Sequence, residues 1–183
     1  MKPRLTPTGQ EVSFPADELI VSKTDLSGRI TYVNRVFMRV CNYPEEALLG
    51  VQHNIVRHPD MPRGAFRLMW DALKGGREFF GIVKNMTADG HHYWVFANVT
   101  IDRRQGQPVG YFSVRRQAPA QAITVVEPLY RQMLDIERAT SAADAPAASL
   151  AWLEGQLAGL GVNYETFVLD LYNRHNHAQG SYR

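Results

Sequence analysis

The sequence of 183 residues has little cysteine, no long apolar run and no excess of one charge. Its single cysteine, Cys41, excludes an internal disulfide and a cysteine-based zinc site, and we expect it to be a small buried apolar residue on a helix. No stretch approaches the roughly 20 apolar residues that span a bilayer, and the N-terminus lacks the apolar segment of a signal peptide. We therefore expect a cytoplasmic protein without a membrane span.

Charge and motif content argue against two further function classes. The 20 basic and 18 acidic residues are scattered along the chain, whereas a nucleic-acid interface normally clusters Lys and Arg. The sequence also lacks a glycine-rich dinucleotide fingerprint and a pairing of nucleophile and base that would indicate catalysis. We expect neither nucleic-acid binding nor enzymatic turnover, and we assign no catalytic or metal-binding residue.

The apolar residues, by contrast, recur in regular patterns. Alternation typical of strands occurs at residues 19–24, 29–33, 79–85, 92–101 and 109–115. Between the second and third strands, helical spacing together with Pro44 and Pro62 predicts several short helices. This order predicts an α+β fold, in which one five-stranded antiparallel sheet carries the short helices on one face, with a pocket between them.

Composition divides the chain into three segments. Residues 1–18 are rich in Pro and polar residues and are expected to form a mobile lead or a short cap. Residues 19–118 contain the five strands, and residues 119–183 form a C-terminal helical extension. Its first helix is predicted over 123–138, and an Ala, Ser and Pro linker then precedes a helix capped by Ser149.

Residues 54–60, Asn-Ile-Val-Arg-His-Pro-Asp, place a cation, an imidazole and a carboxylate around a rigid proline. Pro59 fixes its own φ and keeps His58 out of helical geometry. The charged and polar side chains therefore project from a stiff turn, which suits an anionic ligand that bears a ring. A solvated loop cap is the alternative interpretation.

This turn is one of several segments that resemble a known family. Residues 25–34 resemble the PAS sensor family, and later segments are similar to the FAD-binding PAS domain of bacterial aerotaxis receptors. Those later segments are residues 54–62, Trp70, 81–85, 93–95 and 97–98, followed by 126–130. The resemblance covers residues 19–118. It implies a PAS fold, FAD as the cofactor, and a sensor of redox or oxygen state that signals through flavin-dependent changes in hydrogen bonding.

The resemblance and the chemistry of FAD together predict residues for its charged tail. Arg57 and His58 suit the pyrophosphate, since a guanidinium makes forked contacts with phosphate oxygens and an imidazole adds a donor. Asp60 suits a ribose hydroxyl, or orients Arg57 or His58. The alternative for Asp60 is a carboxylate that interacts with a helix N-terminus.

Four other side chains are predicted to contact the cofactor. In similar flavin PAS domains an Asn at the strand position of Asn85 contacts the ring, and a carboxamide can donate and accept along the pyrimidine edge. Asn98 and Asn34 are candidates by the same logic, although a buried Asn often satisfies backbone groups instead. Trp70 could stack on the ligand, with a core position as its alternative.

Other functions remain open. A haem-binding PAS gas sensor would use His53 or His58 as its axial ligand, and a PAS dimerisation module would need no cofactor. Chemistry of the cysteine-adduct photoreceptors is not expected, because Cys41 lacks their flanking pattern.

The last strand and the C-terminal helices give expectations about protein partners and not about the cofactor. Arg115 and Arg116 are interpreted as a solvated strand edge. The sequence has no methyl-accepting coiled coil of the kind found in those receptors, so we expect signal transfer to a separate signalling protein. The amphipathic helices after residue 120 need a surface to pack on, which is the same domain, a second copy in a homodimer, or the separate signalling protein.

Overall fold

The computed structural model describes residues 5–176 and contains five strands and six α-helices in that range. The strands are β1 (Ile20–Asp25), β2 (Ile30–Val33), β3 (Phe79–Met86), β4 (His92–Arg104) and β5 (Gln107–Gln117). The helices are α1 (Arg35–Cys41), α2 (Glu45–Leu48), α3 (Arg63–Lys74), α4 (Ala120–Ala139), α5 (Ala145–Ala158) and α6 (Tyr164–Asn176), and a 3-10 helix spans His53–Val56. The sheet order is β2-β1-β5-β4-β3. The predicted α+β fold with one five-stranded antiparallel sheet and C-terminal helices is confirmed.

The described chain forms two compact units. The first unit contains the residues up to His58 together with Val83–Gln117, and the second contains Pro59–Ile82 together with the residues from Ala118 onward. Strand β3 contributes to both, because the division falls between Ile82 and Val83. Residues 59–82 therefore group with the C-terminal helices, although the sequence segments place them with residues 19–118.

The first unit has its apolar core on one face of the sheet. Ile20 of β1 and Ala97 of β4 are buried there, and the short helices contribute Phe37, Val40, Cys41, Leu48, Ile55 and Val56. Because Arg115 of β5 pairs directly with Ile20, and Ser113 pairs with Ser22, strand alternation directs these polar side chains to the same face as the core. The interior of the first unit is therefore partly polar.

The described part of the N-terminal segment lies along the start of β4. The N–H of His92 donates to the carbonyl of Gln10 at 2.8 Å, and the N–H of Val12 donates to the carbonyl of His92 at 2.7 Å. Phe14 is buried in the core of the first unit. The described residues of this segment therefore contact β4 and the core of the first unit.

The second unit joins α3 to the C-terminal helices through Glu137 of α4. Its carboxylate accepts hydrogen bonds from the N–H groups of Arg63 at 3.0 Å and Gly64 at 2.9 Å. These donors belong to the first turn of α3, which has no acceptors of its own for them. Glu137 therefore provides the cap that Pro62, the residue before α3, cannot provide with its side chain.

Ser149 binds the same carboxylate. Its hydroxyl donates to Glu137 Oε1 at 2.7 Å. The expectation that Ser149 caps a helix is wrong, because α5 already begins at Ala145, with Pro146 in its first turn. Proline fits that position since its missing N–H would be unpaired there in any case.

Two buried tyrosines connect α4 and α6 with the first half of β3. The Tyr130 hydroxyl donates to the carbonyl of Ile82 at 2.7 Å, and the hydroxyls of Tyr130 and Tyr164 are 2.6 Å apart. Burial raises the pKa of both phenols, that of Tyr164 to about 12, so both stay protonated at neutral pH. Within residues 5–176, no helix combines the length and the apolar character needed to cross a membrane.

The close approach of α3 and α5 at Gly64 gives a stability prediction. A Cβ atom at Gly64 would lie 2.2 Å from Ser149 Oγ and 2.9 Å from the N of Leu150, so Gly64→Ala must push α3 and α5 apart. We expect Gly64→Ala to lower the free energy of unfolding by about 1–3 kcal/mol, measured by urea denaturation.

Gly155→Ala in α5 is the matched control for this prediction. Its added Cβ meets nothing within 4 Å, so the substitution should raise the free energy of unfolding by about 0.5–1 kcal/mol through helix propensity. Similar effects of the two substitutions would contradict the close approach of α3 and α5.

Candidate functional site

The interior of the first unit contains a buried guanidinium. Arg115 is 7% exposed. Its Nη1 donates to Ser22 Oγ at 3.1 Å and its Nη2 donates to His53 Nε2 at 2.9 Å, while its guanidinium carbon lies 5.8 Å from the centroid of the Phe37 ring. The interpretation of Arg115 as a solvated strand edge is therefore wrong, whereas Arg116 is exposed.

The thiol and the phenol that act on the charge of this guanidinium, those of Cys41 and Tyr93, are uncharged at neutral pH. Burial lowers the pKa of Arg115 to about 10, so the side chain remains a cation. Burial raises the pKa of the Cys41 thiol to about 11 and that of the Tyr93 hydroxyl above its ordinary value. Buried charges in proteins are usually paired, so this cation is an unusual feature of the first unit.

His53 is held in its neutral form by the same cluster. Burial and, to a smaller extent, the charge of Arg115 lower the pKa of His53 to about 3. Because His53 Nε2 accepts from Arg115, the proton of the neutral ring is assigned to Nδ1. Ser22 Oγ also lies 3.0 Å from His53 Nε2, which completes a three-residue polar cluster.

Two hydroxyls on the same strands are buried without a partner. Among the described residues, Thr24 Oγ1 and Ser113 Oγ have no hydrogen-bond partner although both atoms are shielded from solvent. Thr24 follows Ser22 by two positions on β1, and Ser113 pairs directly with Ser22 across the sheet. A buried hydroxyl without a partner costs about 1–3 kcal/mol, so these atoms mark a place where a polar ligand would be stabilised.

Asn85 is linked to this polar interior through Tyr93. Asn85 is 5% exposed, and its side chain hydrogen-bonds the Tyr93 hydroxyl, which is close enough to Arg115 for the guanidinium to oppose the rise that burial causes in its pKa. The backbone of Asn85 also forms an isolated antiparallel bridge with Arg57, which follows the 3-10 helix. The structure therefore brings Asn85 and Arg57 together, and connects Asn85 with the buried cation.

The remaining residues of the predicted charged turn fall in both units. His58 is 2% exposed in the first unit, and its ring packs edge-on against the ring of His92, with centroids 6.0 Å apart. Asp60 and Trp70 belong to the second unit, where Asp60 is exposed and Trp70 lies half-buried on α3. Their roles toward a cofactor remain predictions.

Asn34 has a structural role at the start of α1. Its Oδ1 accepts from the N–H groups of Phe37 at 2.9 Å and Val21 at 3.1 Å, and its Nδ2 donates to the carbonyl of Leu19 at 2.7 Å. The side chain thus caps the helix and ties it to β1, which leaves one N–H for a ligand.

Asn98 has a different environment from Asn85. It pairs with Val114, and it alternates along β4 with Ala97, a residue of the core cluster. Strand alternation therefore directs Asn98 to the opposite face of the sheet from that core. A contact of Asn98 with a ligand held beside Arg115 is not favoured by this position.

The polar interior was missed in the sequence because its residues are individually ordinary. Of the cluster, the sequence indicated a ligand contact only for His53, as a haem ligand, whereas Arg115 was interpreted as a strand edge. One signal in the sequence could have indicated a polar interior. Polar residues occupy every second position on two strands, Ser22 and Thr24 on β1 and Ser113 and Arg115 on β5.

The state of His53 predicts a pH dependence of stability. Because its pKa is depressed from 6.5 to about 3 in the folded protein, the unfolded chain binds the proton first. The contribution of neutral His53 to the free energy of unfolding is complete above about pH 6.5 and is lost progressively at lower pH, by at most about 1.4 kcal/mol per pH unit.

His53→Gln keeps an acceptor for Arg115 but does not titrate. Urea denaturation between about pH 7.5 and pH 5 should show a smaller decline for His53→Gln. Equal declines would contradict the assignment.

Comparison with known proteins agrees with this architecture. A family profile described as the PAS fold matches residues 30–115. The aerotaxis receptor of Escherichia coli (strain K12) is 44% identical to this chain over 126 residues, which are 69% of this chain and 25% of the receptor. The chain therefore aligns with only a quarter of that relative, which leaves the activity of the whole receptor outside the similarity.

Two solved structures share the fold. A light-oxygen-voltage domain studied with a flavin analogue has 18% identity and a TM-score of 0.53, over 59% of this chain and 82% of its own. The Aureochrome1 LOV blue-light photoreceptor in its light state has 20% identity and a TM-score of 0.52, over 66% of this chain and 93% of its own. The profile match and the five-stranded sheet together show that this chain has the PAS fold, with the match over residues 30–115.

Proposed function

We propose that this protein is a FAD-binding PAS sensor of redox or oxygen state that signals to a partner protein through flavin-dependent changes in hydrogen bonding. The observation that carries the proposal is the polar interior of the first unit, where a buried cation and two unpartnered hydroxyls face a PAS core. The similarity to an aerotaxis receptor supports the same function.

The residues of this interior fit a flavin. The pyrimidine edge of the ring has donors and acceptors side by side, and the ring gains negative charge on reduction. Asn85 can donate and accept, the hydroxyls of Thr24 and Ser113 can do either, and Arg115 supplies a positive charge. Bound FAD would supply reversible electron transfer.

Asn85 is the residue proposed to convert a change of redox state into a change of structure. Its carboxamide can exchange a donated for an accepted hydrogen bond when a proton arrives at the ring edge. Its side chain also bonds Tyr93 of β4, and its backbone bridges Arg57. A preference of about 1.4 kcal/mol for one redox state corresponds to about 30 mV for a two-electron couple, and that energy is available to bias the hydrogen bonds of Asn85.

Arg57 and His58 are proposed to hold the pyrophosphate, with Asp60 at the ribose and Trp70 stacked on the ligand. Arg57 is partly exposed and its backbone is fixed by the bridge to Asn85. A fixed backbone beside the ring-edge residue supports a role in which the guanidinium side chain binds the charged tail.

The proposal includes a cytoplasmic location, a homodimer and a separate signalling protein as the receiver. The first unit exposes large apolar side chains that would suit a protein contact, at Leu26, Tyr32, Leu49 and Val51. Light scattering of the purified protein should give the mass of two copies, and a monomeric mass at micromolar concentration would contradict the homodimer.

The absorbance spectrum of the purified protein separates the candidate functions. Flavin bands in the blue are expected, a Soret band would indicate the haem sensor, and colourless protein that takes up no FAD would favour the dimerisation module. Haem ligation by His53 is disfavoured, because its Nε2 already accepts a hydrogen bond from Arg115.

Asn85→Ala tests the proposed contact with the ring. Loss of one or two hydrogen bonds should weaken FAD binding about 10- to 100-fold, measured by fluorescence titration of flavin-free protein. Asn173→Ala, an exposed Asn on α6, is the matched control and should bind FAD as the parent does. Unchanged affinity of Asn85→Ala would remove Asn85 from the site.

Arg57→Ala tests the pyrophosphate contact with a second ligand. Because riboflavin has the ring but no phosphate, Arg57→Ala should weaken FAD binding about 10-fold or more and leave riboflavin binding unchanged. Asn85→Ala should weaken both ligands. Equal losses for FAD and riboflavin in Arg57→Ala would contradict the assignment.

A further inference from the structure

We propose that Arg115, positioned by Ser22 and His53, is the residue that compensates a negative charge on the reduced flavin and thereby sets how many protons accompany its reduction. This inference rests on the proposed function, because it concerns the charge state of the same cofactor. It deepens that function because it assigns two properties of the bound cofactor to one side chain. These are the number of protons taken up on reduction and the midpoint potential.

The first step of the argument is that Arg115 has a fixed position. Ser22 and His53 hold its two terminal nitrogens from two different elements, β1 and the 3-10 helix. The Phe37 ring lies beside the guanidinium, at 5.8 Å from centroid to carbon. An arginine with these three contacts cannot turn to solvent without losing buried hydrogen bonds.

The second step is that the charge of Arg115 is available to a ligand. Its hydrogen-bond partners in the described part of the chain are a hydroxyl and a neutral imidazole, which do not cancel a positive charge. In a buried site a full charge acts on neighbouring groups more strongly than it does in water. A ligand that becomes negative beside Arg115 is therefore stabilised relative to its neutral form.

The third step connects Arg115 with the pyrimidine edge of the ring. The residue proposed to bind that edge, Asn85, bonds Tyr93, and Arg115 is near enough to the Tyr93 hydroxyl to oppose the rise that burial causes in its pKa. The unpartnered hydroxyl of Ser113 is two residues before Arg115 on the same face of β5. The donors proposed for the ring edge and the cation thus belong to one polar region.

The consequence can be written as a balance of charge. A reduced electron carrier donates two electrons, and one proton is taken up from solvent, so one negative charge remains and is compensated by Arg115. Without that cation, a second proton would be taken up to neutralise the ring in its buried site. Arg115 therefore favours reduction and halves the proton uptake.

The groups that face Arg115 do not change their own charge in the range of the test. His53 has its pKa lowered to about 3, the pKa of Arg115 itself is about 10, and that of Cys41 is about 11. Burial also raises the pKa of Tyr93. Between about pH 6 and pH 8, the pH dependence of the potential can therefore be assigned to protons on the ligand.

The test is a measurement of the midpoint potential of the FAD-loaded chain between about pH 6 and pH 8. Dithionite is the reductant and dyes of known potential report the equilibrium. Uptake of one proton per two electrons gives a slope of about 30 mV per pH unit. One pH unit is a tenfold change in proton concentration, and a tenfold change in the equilibrium constant of a two-electron couple corresponds to about 30 mV. The parent and Arg115→Lys should show this slope. Arg115→Met should show about twice that slope. At pH 8 its equilibrium constant for reduction should be at least tenfold smaller than that of the parent, which corresponds to a midpoint potential about 30 mV lower.

Arg116→Met is the matched control, since it removes an exposed arginine from the next position of the same strand and should keep the parent slope. A parent that binds FAD but shares its slope with Arg115→Met overturns this inference and leaves the proposed function intact. A parent that takes up no flavin overturns both this inference and the proposed function.

If Arg115→Met folds without retaining FAD, Arg115→Gln provides the same comparison. If every substitution of Arg115 abolishes binding while Arg116→Met retains it, Arg115 is a binding residue and its proposed redox role is overturned.

Discussion

A buried positive charge whose hydrogen-bond partners are uncharged is the constraint on which the site in the first unit depends. The hydrogen bonds of Arg115 to Ser22 and His53 satisfy its donors but not its charge. The same charge helps to keep His53 neutral, because a second cation beside the first would be repelled. An interior arranged in this way is destabilised when empty and stabilised by a ligand that carries or acquires negative charge.

Around this cation the sheet supplies the remaining polar contacts in regular positions. Cross-strand pairing sets Ser113 beside Ser22, and Arg115 beside Ile20, so hydroxyls and guanidinium share a face with the apolar core. A mixed lining of this type suits a flat ring with polar edges better than it suits a closed hydrophobic core. Asn85 extends the polar region toward Arg57, since it contacts Tyr93 with its side chain and Arg57 with its backbone.

Much of the fold could be predicted from the sequence because periodicity and turn residues act locally. The strands agree with the alternating segments, and the turn at Asp25 forms as expected, with its carboxylate accepting from the N–H groups of Ser27 and Arg29. Cys41 is also the small buried residue on a helix that was expected. The grouping of residues 59–82 with the C-terminal helices depends on contacts distant in sequence, such as those of Glu137, and no local pattern indicated it.

The site was harder to predict, because its residues do not follow the rule that apolar side chains face inward. On β5, Phe112 and Val114 alternate with Ser113 and Arg115, and hydrophobicity alone favours burying the apolar pair. The structure instead directs Ser113 and Arg115 to the core side, which pairing with Ser22 and Ile20 requires. Polar residues that break a binary pattern are often those that a function retains at a cost in stability.

Unfolding of the flavin-free protein tests the central claim most directly. If Arg115 is an uncompensated buried cation, Arg115→Met should make the flavin-free chain more stable to urea than the parent, by about 1–3 kcal/mol. Saturating FAD should then stabilise the parent more than it stabilises Arg115→Met. A flavin-free Arg115→Met chain that is less stable than the flavin-free parent would show that the charge is already compensated within the protein, and would contradict the account.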